Sequence, residues 1–181
     1  MAHLADDAVL TAYLAGMADT LRIWSPRPYE PSDAKAVLAL NQGALDAVSS
    51  LDSDRLAWLA DLADACLVVS DGERLAGFAI MIARGTVYDS INYAWFTERY
   101  DDFGYLDRIV VDPAFRRFGV GSSLYDAAED ASSRHGRMTL EVYVEPPNPA
   151  SLAFHRARGY AEVGRLGQAN GKTCAMFVKE L

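Results

Sequence analysis

Long apolar segments are absent from this sequence of 181 residues. A membrane-spanning helix needs roughly 20 apolar residues, and the longest runs here, such as residues 75–83, have the length of a strand. An apolar stretch at residues 9–17 follows Asp6 and Asp7, where a secretory signal carries positive charge, and no small-residue cleavage site follows it. We therefore expect no membrane span, no export signal and a cytoplasmic location.

Cysteine and positive charge are also scarce. Cys66 and Cys174 lie far apart, each in an apolar stretch, which favours buried thiols over a disulfide or a metal site. The formal net charge of −8 argues against nucleic-acid binding, which needs a basic surface. The first 100 residues carry −7 of this charge and the last 81 carry −1, so an anionic ligand fits the second part better.

No repeat, low-complexity tract or linker divides the chain. We therefore expect an N-terminal extension over residues 1–21 and a single domain over residues 22–181. Its apolar periodicity predicts the element order β-α-α-β-β-β-α-β-α-β-β, with a first strand at residues 22–27. This order combines a hairpin with strand-helix-strand crossovers, so it predicts an α/β (α+β) fold in which helices cover the faces of a mixed sheet.

Two predictions concern the middle of the chain. The strands at residues 65–70 and 75–83 are joined through Asp71-Gly72, a dipeptide typical of hairpin turns. Residues 86–102 are aromatic and polar without clean periodicity, so they are predicted to form a loop with a helical turn.

An arginine- and glycine-containing segment connects a predicted strand at residues 105–111 to a predicted helix at residues 119–135. It reads Val111-Asp-Pro-Ala-Phe-Arg116-Arg-Phe-Gly119-Val-Gly121. The N–H groups at a helix start lack helical partners, the helix dipole attracts phosphate there, and glycine lets a pyrophosphate approach the backbone. The segment is neither a dinucleotide-binding Gly-x-Gly-x-x-Gly nor a P-loop. An ordinary basic turn is the alternative.

A second motif lies downstream and reads Asn148-Pro-Ala-Ser-Leu-Ala-Phe-His155-Arg-Ala-Arg-Gly159-Tyr160. By itself it is typical of an N-capped helix that ends at a glycine. The first segment follows the pattern Val-x-Pro-x-x-Arg-x-x-Gly-x-Gly, and the second follows Asn-x-x-Ala/Ser-x-x-x-Tyr/His-x-x-x-Gly-Phe/Tyr. Together, and most strongly over residues 106–160, they resemble the GNAT N-acetyltransferase superfamily.

The resemblance implies the GNAT fold, a mixed and mostly antiparallel sheet of six to seven strands with helices on both faces. In that fold the strand at residues 105–111 splays from the strand at residues 138–144 and admits the pantetheine arm of acetyl-CoA. The residues that the resemblance assigns to the cosubstrate are Ile109, Val110 and Val111 through their backbone, Arg116, Arg117, Phe118, Gly119, Val120, Gly121 and Ser122 around the pyrophosphate, and Asn148, Phe154 and His155 beyond.

Direct acetyl transfer requires a neutral amine and releases a thiolate, so proton-transfer groups are expected. His155 stands where most family members have tyrosine; its pKa range suits proton transfer, and packing or a cosubstrate contact is the alternative. Asp107 lies two residues beyond the position where some relatives carry a glutamate base, on the same strand face. It is a candidate base or substrate anchor, unless it pairs with Arg108 or lies on an exposed edge. Glu141 and Tyr143 share a face of the next strand, and the sequence does not choose between them.

The aromatic segment is expected near the acceptor in the family fold, and aromatic loop residues often mark binding surfaces. Its candidate substrate-binding residues are Tyr93, Trp95, Phe96 and Tyr100. Packing on the core, or a homodimer surface, is the alternative.

The resemblance implies an enzyme that moves the acetyl group of acetyl-CoA to a primary amine of a small molecule, an amino acid or a peptide. A second hypothesis is a CoA-binding sensor or regulatory module with little or no turnover, which His155 in place of tyrosine keeps open.

Overall fold

A single sheet of seven strands organises the described part of the chain, which comprises residues 23–72 and 74–181 of a computed structural model. The strands are β1 (Arg27–Pro28), β2 (Ala65–Asp71), β3 (Arg74–Ala83), β4 (Gly104–Val111), β5 (Arg137–Glu145), β6 (Ala161–Gly167) and β7 (Thr173–Glu180). The helices are α1 (Ala34–Gln42), α2 (Ser53–Leu62), α3 (Ile91–Thr97), α4 (Val120–Ser132) and α5 (Pro149–Ala157). Short 3₁₀ turns cover Pro31–Asp33, Pro113–Phe115 and Ser133–His135.

The strands are ordered β1-β2-β3-β4-β5-β7-β6, and every neighbouring pair is antiparallel except β4 with β5. The expected mixed, mostly antiparallel sheet of seven strands is therefore confirmed. The hairpin predicted from Asp71-Gly72 is also present, since Asp71 pairs with Arg74 and Gly72 takes the left-handed conformation at φ +61°.

The first strand is shorter and later than expected. Only Arg27 and Pro28 pair with β2, so of the described part of the strand predicted at residues 22–27 only Arg27 is confirmed. Pro26 and Pro28 have no N–H to donate, and this limits the ladder at this edge. Residues 1–22, which include the predicted extension and the start of that strand, lie outside the described residues.

Residues 86–102 contain a helix of seven residues rather than a loop with one turn. The helix α3 begins after Ser90, whose hydroxyl accepts a hydrogen bond from the N–H of Tyr93 at 3.3 Å. Tyr93 and Phe96 are buried in the core, with exposed fractions of 4% and 0%. The helix is only seven residues long, which is too short for periodicity to distinguish its apolar spacing from that of a loop.

The core consists of two layers, one on each face of the sheet. One layer packs Phe78, Ile80 and Ile82 of β3 beneath α1, α2 and α3. The other packs Ala79 and Met81 beneath α4. Successive residues of β3 point to opposite faces, and since both faces are covered the strand is apolar after Arg74. Cys66 and Cys174 are free thiols in these layers.

Two irregularities in β4 create the site. The first is that β4 and β5 pair only at Gly104 with Met138 and at Tyr105 with Thr139, and then separate. The second is a bulge: Leu106 pairs with Met81 and Arg108 with Ile80, which leaves Asp107 as an extra residue. Bulges of this kind redirect side chains.

Candidate active site

A cavity of about 480 Å³ opens where β4 and β5 separate. Its wall includes Tyr105, Asp107, Arg108 and Ile109 of β4, Leu140, Glu141, Val142 and Tyr143 of β5, Tyr125 of α4, Asn148, Ser151 and His155 around α5, Tyr88, Asp89 and Asn92 around α3, and Ser49, Arg55 and Gln168. Only two residue pairs join the parallel strands β4 and β5, both at the beginnings of the strands, and beyond them the strands are apart.

Glu141 occupies the β5 wall of this cavity and has only neutral hydrogen-bond partners. Asn92 donates its Nδ2 to Oε1 and Tyr105 donates its hydroxyl to Oε2, both at 2.8 Å. Burial raises the pKa of Glu141 to about 8, the nearby Asp107 contributes in the same direction, and the two hydrogen bonds oppose the rise. A carboxyl group with this pKa changes its protonation state near neutral pH.

Asp107 has a very different environment, because a buried arginine neutralises it. Its Oδ2 accepts a hydrogen bond from Arg108 Nε at 2.8 Å, and Oδ1 accepts one from the Tyr88 hydroxyl. The side chains of Asp107 and Arg108 are 7% and 5% exposed. Arg108 also donates to Asn41 Oδ1 at 3.1 Å and to Ser49 Oγ at 3.2 Å, so the ion pair ties β4 to the segment after α1.

His155 and Tyr125 form a buried pair on the opposite wall. His155 Nδ1 lies 2.7 Å from the carbonyl oxygen of Ser151, which can only accept, so Nδ1 carries the proton. Nε2 is then the acceptor for the Tyr125 hydroxyl at 2.5 Å. Burial lowers the pKa of His155, and this favours the neutral ring. In this state His155 has no free proton to donate into the cavity, and it orients Tyr125.

The mouth of the cavity is polar and aromatic. Arg55 of α2 donates two hydrogen bonds to Asp89, at 2.9 and 2.5 Å, and its guanidinium lies 4.1 Å from the ring centre of Trp58. On the other side Gln168 Nε2 donates to Asn92 Oδ1 at 2.9 Å. Gln168 therefore supports the amide that holds Glu141.

The segment between β4 and α4 presents unpaired backbone donors. Gly119 has φ +89° and Arg117 has φ +68°, and together they turn the chain into α4. Among the described residues, the N–H groups of Val120, Gly121 and Ser122 have no protein acceptor, as expected for a first helical turn. A side chain at Gly121 would project near Val111, whose Cγ2 would lie 3.7 Å from the added Cβ. The segment thus fits an anionic group.

Residues 23–160 match the sequence model of a family described as the acetyltransferase (GNAT) family. The chain belongs to this family. It is 28% identical to L-2,4-diaminobutyric acid acetyltransferase of Nocardia farcinica over 102 residues. The aligned region covers 56% of this chain and 46% of that protein. The aligned part of the chain spans less than half the length of the curated relatives it matches.

Solved structures share the fold of this GNAT chain. One is yncA of Salmonella typhimurium with its cofactor acetyl-CoA, at 19% identity and a TM-score of 0.66, covering 88% of this chain and 95% of that one. Another is ribosomal-protein-alanine N-acetyltransferase of Brucella melitensis, at 24% identity and a TM-score of 0.65, covering 87% and 99%. The GNAT fold expected from the sequence is confirmed.

In this GNAT chain the predicted proton-transfer residues converge on one cavity. Asp107, Glu141, Tyr143 and His155 all line it, as do Ile109 and Asn148 of the predicted cosubstrate set. Tyr143 is half-buried, and burial raises its pKa.

Other predicted cosubstrate residues lie outside the cavity wall. The side chain of Val110 packs into the layer beneath α1, and Phe154 packs edge-on against Tyr125. Val111 and Arg116 line a second hollow between α1 and the end of β4, and Phe118 is 47% exposed.

The predicted substrate-binding aromatic residues need a correction. None of Tyr93, Trp95, Phe96 and Tyr100 lines the cavity. The Tyr93 hydroxyl donates to the carbonyl of Ala83 at 3.0 Å, and Trp95 packs against Gly164. These side chains stabilise the core because α3 buries its apolar face, and the polar residues at its start reach the cavity instead.

The structure brings into the site three residues for which no role was predicted, Tyr105, Tyr125 and Gln168. Tyr105 carried a usable signal, since it lies two residues before Asp107 on the same strand face. Tyr88 and Asn92 belong to the aromatic and polar segment that was expected near the acceptor. Arg108 forms the ion pair with Asp107 that was stated as an alternative, and the bulge at Asp107 places it on that face against the normal alternation.

Within the described residues no helix is long and apolar enough to cross a membrane, and no group of three or more His, Cys, Asp or Glu side chains could hold a metal ion.

Proposed function

We propose that this chain is an acetyl-CoA-dependent N-acetyltransferase that moves the acetyl group directly to a primary amine of a small molecule, an amino acid or a peptide, with Glu141 as the proton acceptor. The observation that carries the proposal is the position of Glu141 in the gap between β4 and β5, held by neutral donors and with its pKa at about 8.

Acetyl-CoA fits the residues on both sides of this gap. The free N–H groups of Val120, Gly121 and Ser122 suit the pyrophosphate, and the side chains of Arg116 and Arg117 add positive charge beside them. Ile109 lies on β4 beyond the last residue pair with β5. The backbone groups of Ile109 that face β5 are therefore free to bind an extended chain. The cosubstrate supplies the activated acetyl group.

The protein residues then accept the proton of the substrate amine and hold the accepting carboxylate in one orientation. An ammonium substrate must lose a proton before its nitrogen attacks, and the ionised form of Glu141, whose population rises as the pH approaches its pKa of about 8, accepts that proton. Tyr105 and Asn92 fix both carboxylate oxygens, so the base is held in one orientation. His155 acts by positioning the Tyr125 hydroxyl rather than by giving up a proton.

A thiol-release assay with acetyl-CoA over amines, polyamines, amino acids and peptides tests the function, with mass spectrometry of the acetylated product. Thiol release with at least one acceptor is expected. Binding of acetyl-CoA in calorimetry without thiol release over the whole panel would contradict the proposal and favour the sensor hypothesis.

The cosubstrate site has its own test. Gly121→Val places a side chain among the free N–H groups and should abolish CoA binding in calorimetry, while Gly167→Val serves as the control because its added Cβ meets no atom within 4 Å. Gly119 is a poorer choice, since its φ of +89° makes any side chain strained. A folded Gly121→Val protein with wild-type CoA affinity would refute the site.

A further inference from the structure

The charges around the cavity indicate the kind of amine that it accepts. Five ionisable side chains with a formal charge line it in the described part of the chain: Arg55, Asp89, Asp107, Arg108 and Glu141. Asp107 and Arg108 are buried, whereas Arg55 and Asp89 form an ion pair at the mouth with side chains 33% and 65% exposed. A charge that a neighbour already neutralises binds a substrate charge less strongly than an unpaired one.

Both arginines are already neutralised by a carboxylate. Arg55 donates two hydrogen bonds to the oxygens of Asp89, at 2.9 and 2.5 Å. Arg108 is paired with Asp107 and spends three further hydrogen bonds on Asn41 and Ser49. Glu141 is the remaining acidic residue of the set, and its hydrogen-bond partners are neutral. Within the described lining, the cavity therefore offers a cation an unpaired carboxylate when Glu141 is ionised, and it offers an anion no unpaired cationic side chain.

Lys172 is a cation near the cavity, but it does not add to the charges of the cavity lining. Lys172, which has no acidic partner among the described residues, lies with Nζ 4.4 Å from the ring centre of Tyr143. Lys172 is not among the residues that line the cavity.

We infer that the acceptor is an amine without a carboxylate close to its reacting nitrogen: a simple amine, a polyamine or the N-terminal residue of a peptide, rather than a free amino acid. The inference rests on the proposed function and narrows it. The ammonium of such a substrate gains Glu141 as its counter-charge. The carboxylate of an amino acid would lie a few bonds away, beside Asp107 and Asp89, and would lose its water without gaining a cation.

The test is a thiol-release assay with pairs of acceptors that differ by one carboxylate. Suitable pairs are alaninamide and alanine, cadaverine and lysine, and 1,3-diaminopropane and L-2,4-diaminobutyric acid. Each kcat/KM is divided by the fraction of neutral amine, because a carboxylate also changes the pKa of the amine. We expect the member without the carboxylate to be preferred by about 10²-fold or more, as for a site that leaves a buried charge unpaired.

A variant sharpens the test by creating the missing cation. Asp89→Asn releases Arg55 at the mouth and should raise kcat/KM for the carboxylate members by about fivefold relative to their partners, as expected for one new exposed ion pair at the strong end of its range, about 1 kcal/mol. The control is Asp33→Asn, which releases Arg27 from a pair of the same geometry, at 2.8 and 2.7 Å, away from the cavity. It should leave the preference unchanged.

Several outcomes overturn the inference. Equal use of amino acids and their uncharged partners by the wild type would do so, and if Lys172→Gln removed that use, Lys172 would be identified as the carboxylate's partner. An Asp89→Asn variant with an unchanged preference would contradict the assigned role of the Arg55–Asp89 pair. If no member of any pair releases thiol, the proposed function itself fails, which is a different result from acetylation without preference.

Discussion

Two buried carboxylates on neighbouring strands differ in what surrounds them. Asp107 on β4 is paired with Arg108 and accepts a hydrogen bond from Tyr88, whereas Glu141 on β5 has the neutral donors Asn92 and Tyr105. Both line the same cavity. A cation partner keeps a carboxylate ionised and fixes structure, whereas neutral donors in a buried place leave its protonation state adjustable near neutral pH. Environment, rather than residue type or strand position, separates the two roles.

The strongest test of this comparison removes the carboxylate that we propose as the base. Glu141→Gln should lower kcat by roughly 10² to 10⁴, because general base catalysis contributes about that much, and should leave acetyl-CoA affinity unchanged. Steady-state kinetics and calorimetry measure the two quantities. Glu162→Gln on β6, whose carboxylate pairs with Arg165 away from the cavity, is the matched control. Wild-type kcat in the Glu141 variant would transfer the role to Asp107 or Tyr143.

Asp107 should respond in stability more than in chemistry. Asp107→Asn leaves Arg108 charged and buried without its partner, which destabilises a protein by about 3–5 kcal/mol in free energy of unfolding. Urea unfolding measures this loss. Asp107→Leu combined with Arg108→Met should recover much of it, because a buried pair is often replaceable by apolar side chains. A stable Asp107→Asn protein with kcat reduced 10²-fold would instead identify Asp107 as the base.

The pH dependence of stability tests the environment of Glu141 without an activity assay. Folding raises the pKa of Glu141 from 4.5 to about 8, so the folded protein holds this proton more tightly than the unfolded chain. The stability due to Glu141 is therefore fully present below pH 4.5 and is lost as the pH rises to about 8. At about 1.4 kcal/mol per pH unit the loss amounts to a few kcal/mol.

Thermal or urea unfolding of the wild type and of Glu141→Gln across this range measures the loss. The wild type should lose stability relative to the variant as the pH rises, since glutamine has no proton to release. Parallel curves for the two proteins would contradict the raised pKa.

The smallest expected effect concerns a hydrogen bond to the base. The Tyr105 hydroxyl lowers the pKa of Glu141 against the effect of burial, so Tyr105→Phe should move the rise of kcat/KM with pH above about 8. Losing one hydrogen bond to a charged group should lower kcat/KM near neutral pH by about tenfold. Tyr93→Phe is the control, since that buried hydroxyl donates to the carbonyl of Ala83. Identical profiles for the two variants would argue against Glu141 as the titrating group.

Much of the fold could be predicted from local signals, and the proposed cosubstrate segment is also recognised by a local one. Apolar runs of strand length indicate β2 and β3, alternating apolar residues indicate β5, Asp71-Gly72 indicates a hairpin, and Arg116 to Gly121 between a strand and a helix indicates an anion site. Each signal lies within a few residues of the structure it predicts, because backbone conformation and periodicity are properties of short segments.

The tertiary structure alone decided which carboxylate is free to take a proton. Glu141 receives its donors from residues 49 and 36 positions away, and the bulge at Asp107 places Arg108 beside it on the same strand face. The packing of Tyr93 and Phe96 into the core was decided at the same level. A pKa depends on burial and on partners brought from distant parts of the chain, and neither periodicity nor spacing along the sequence specifies those contacts.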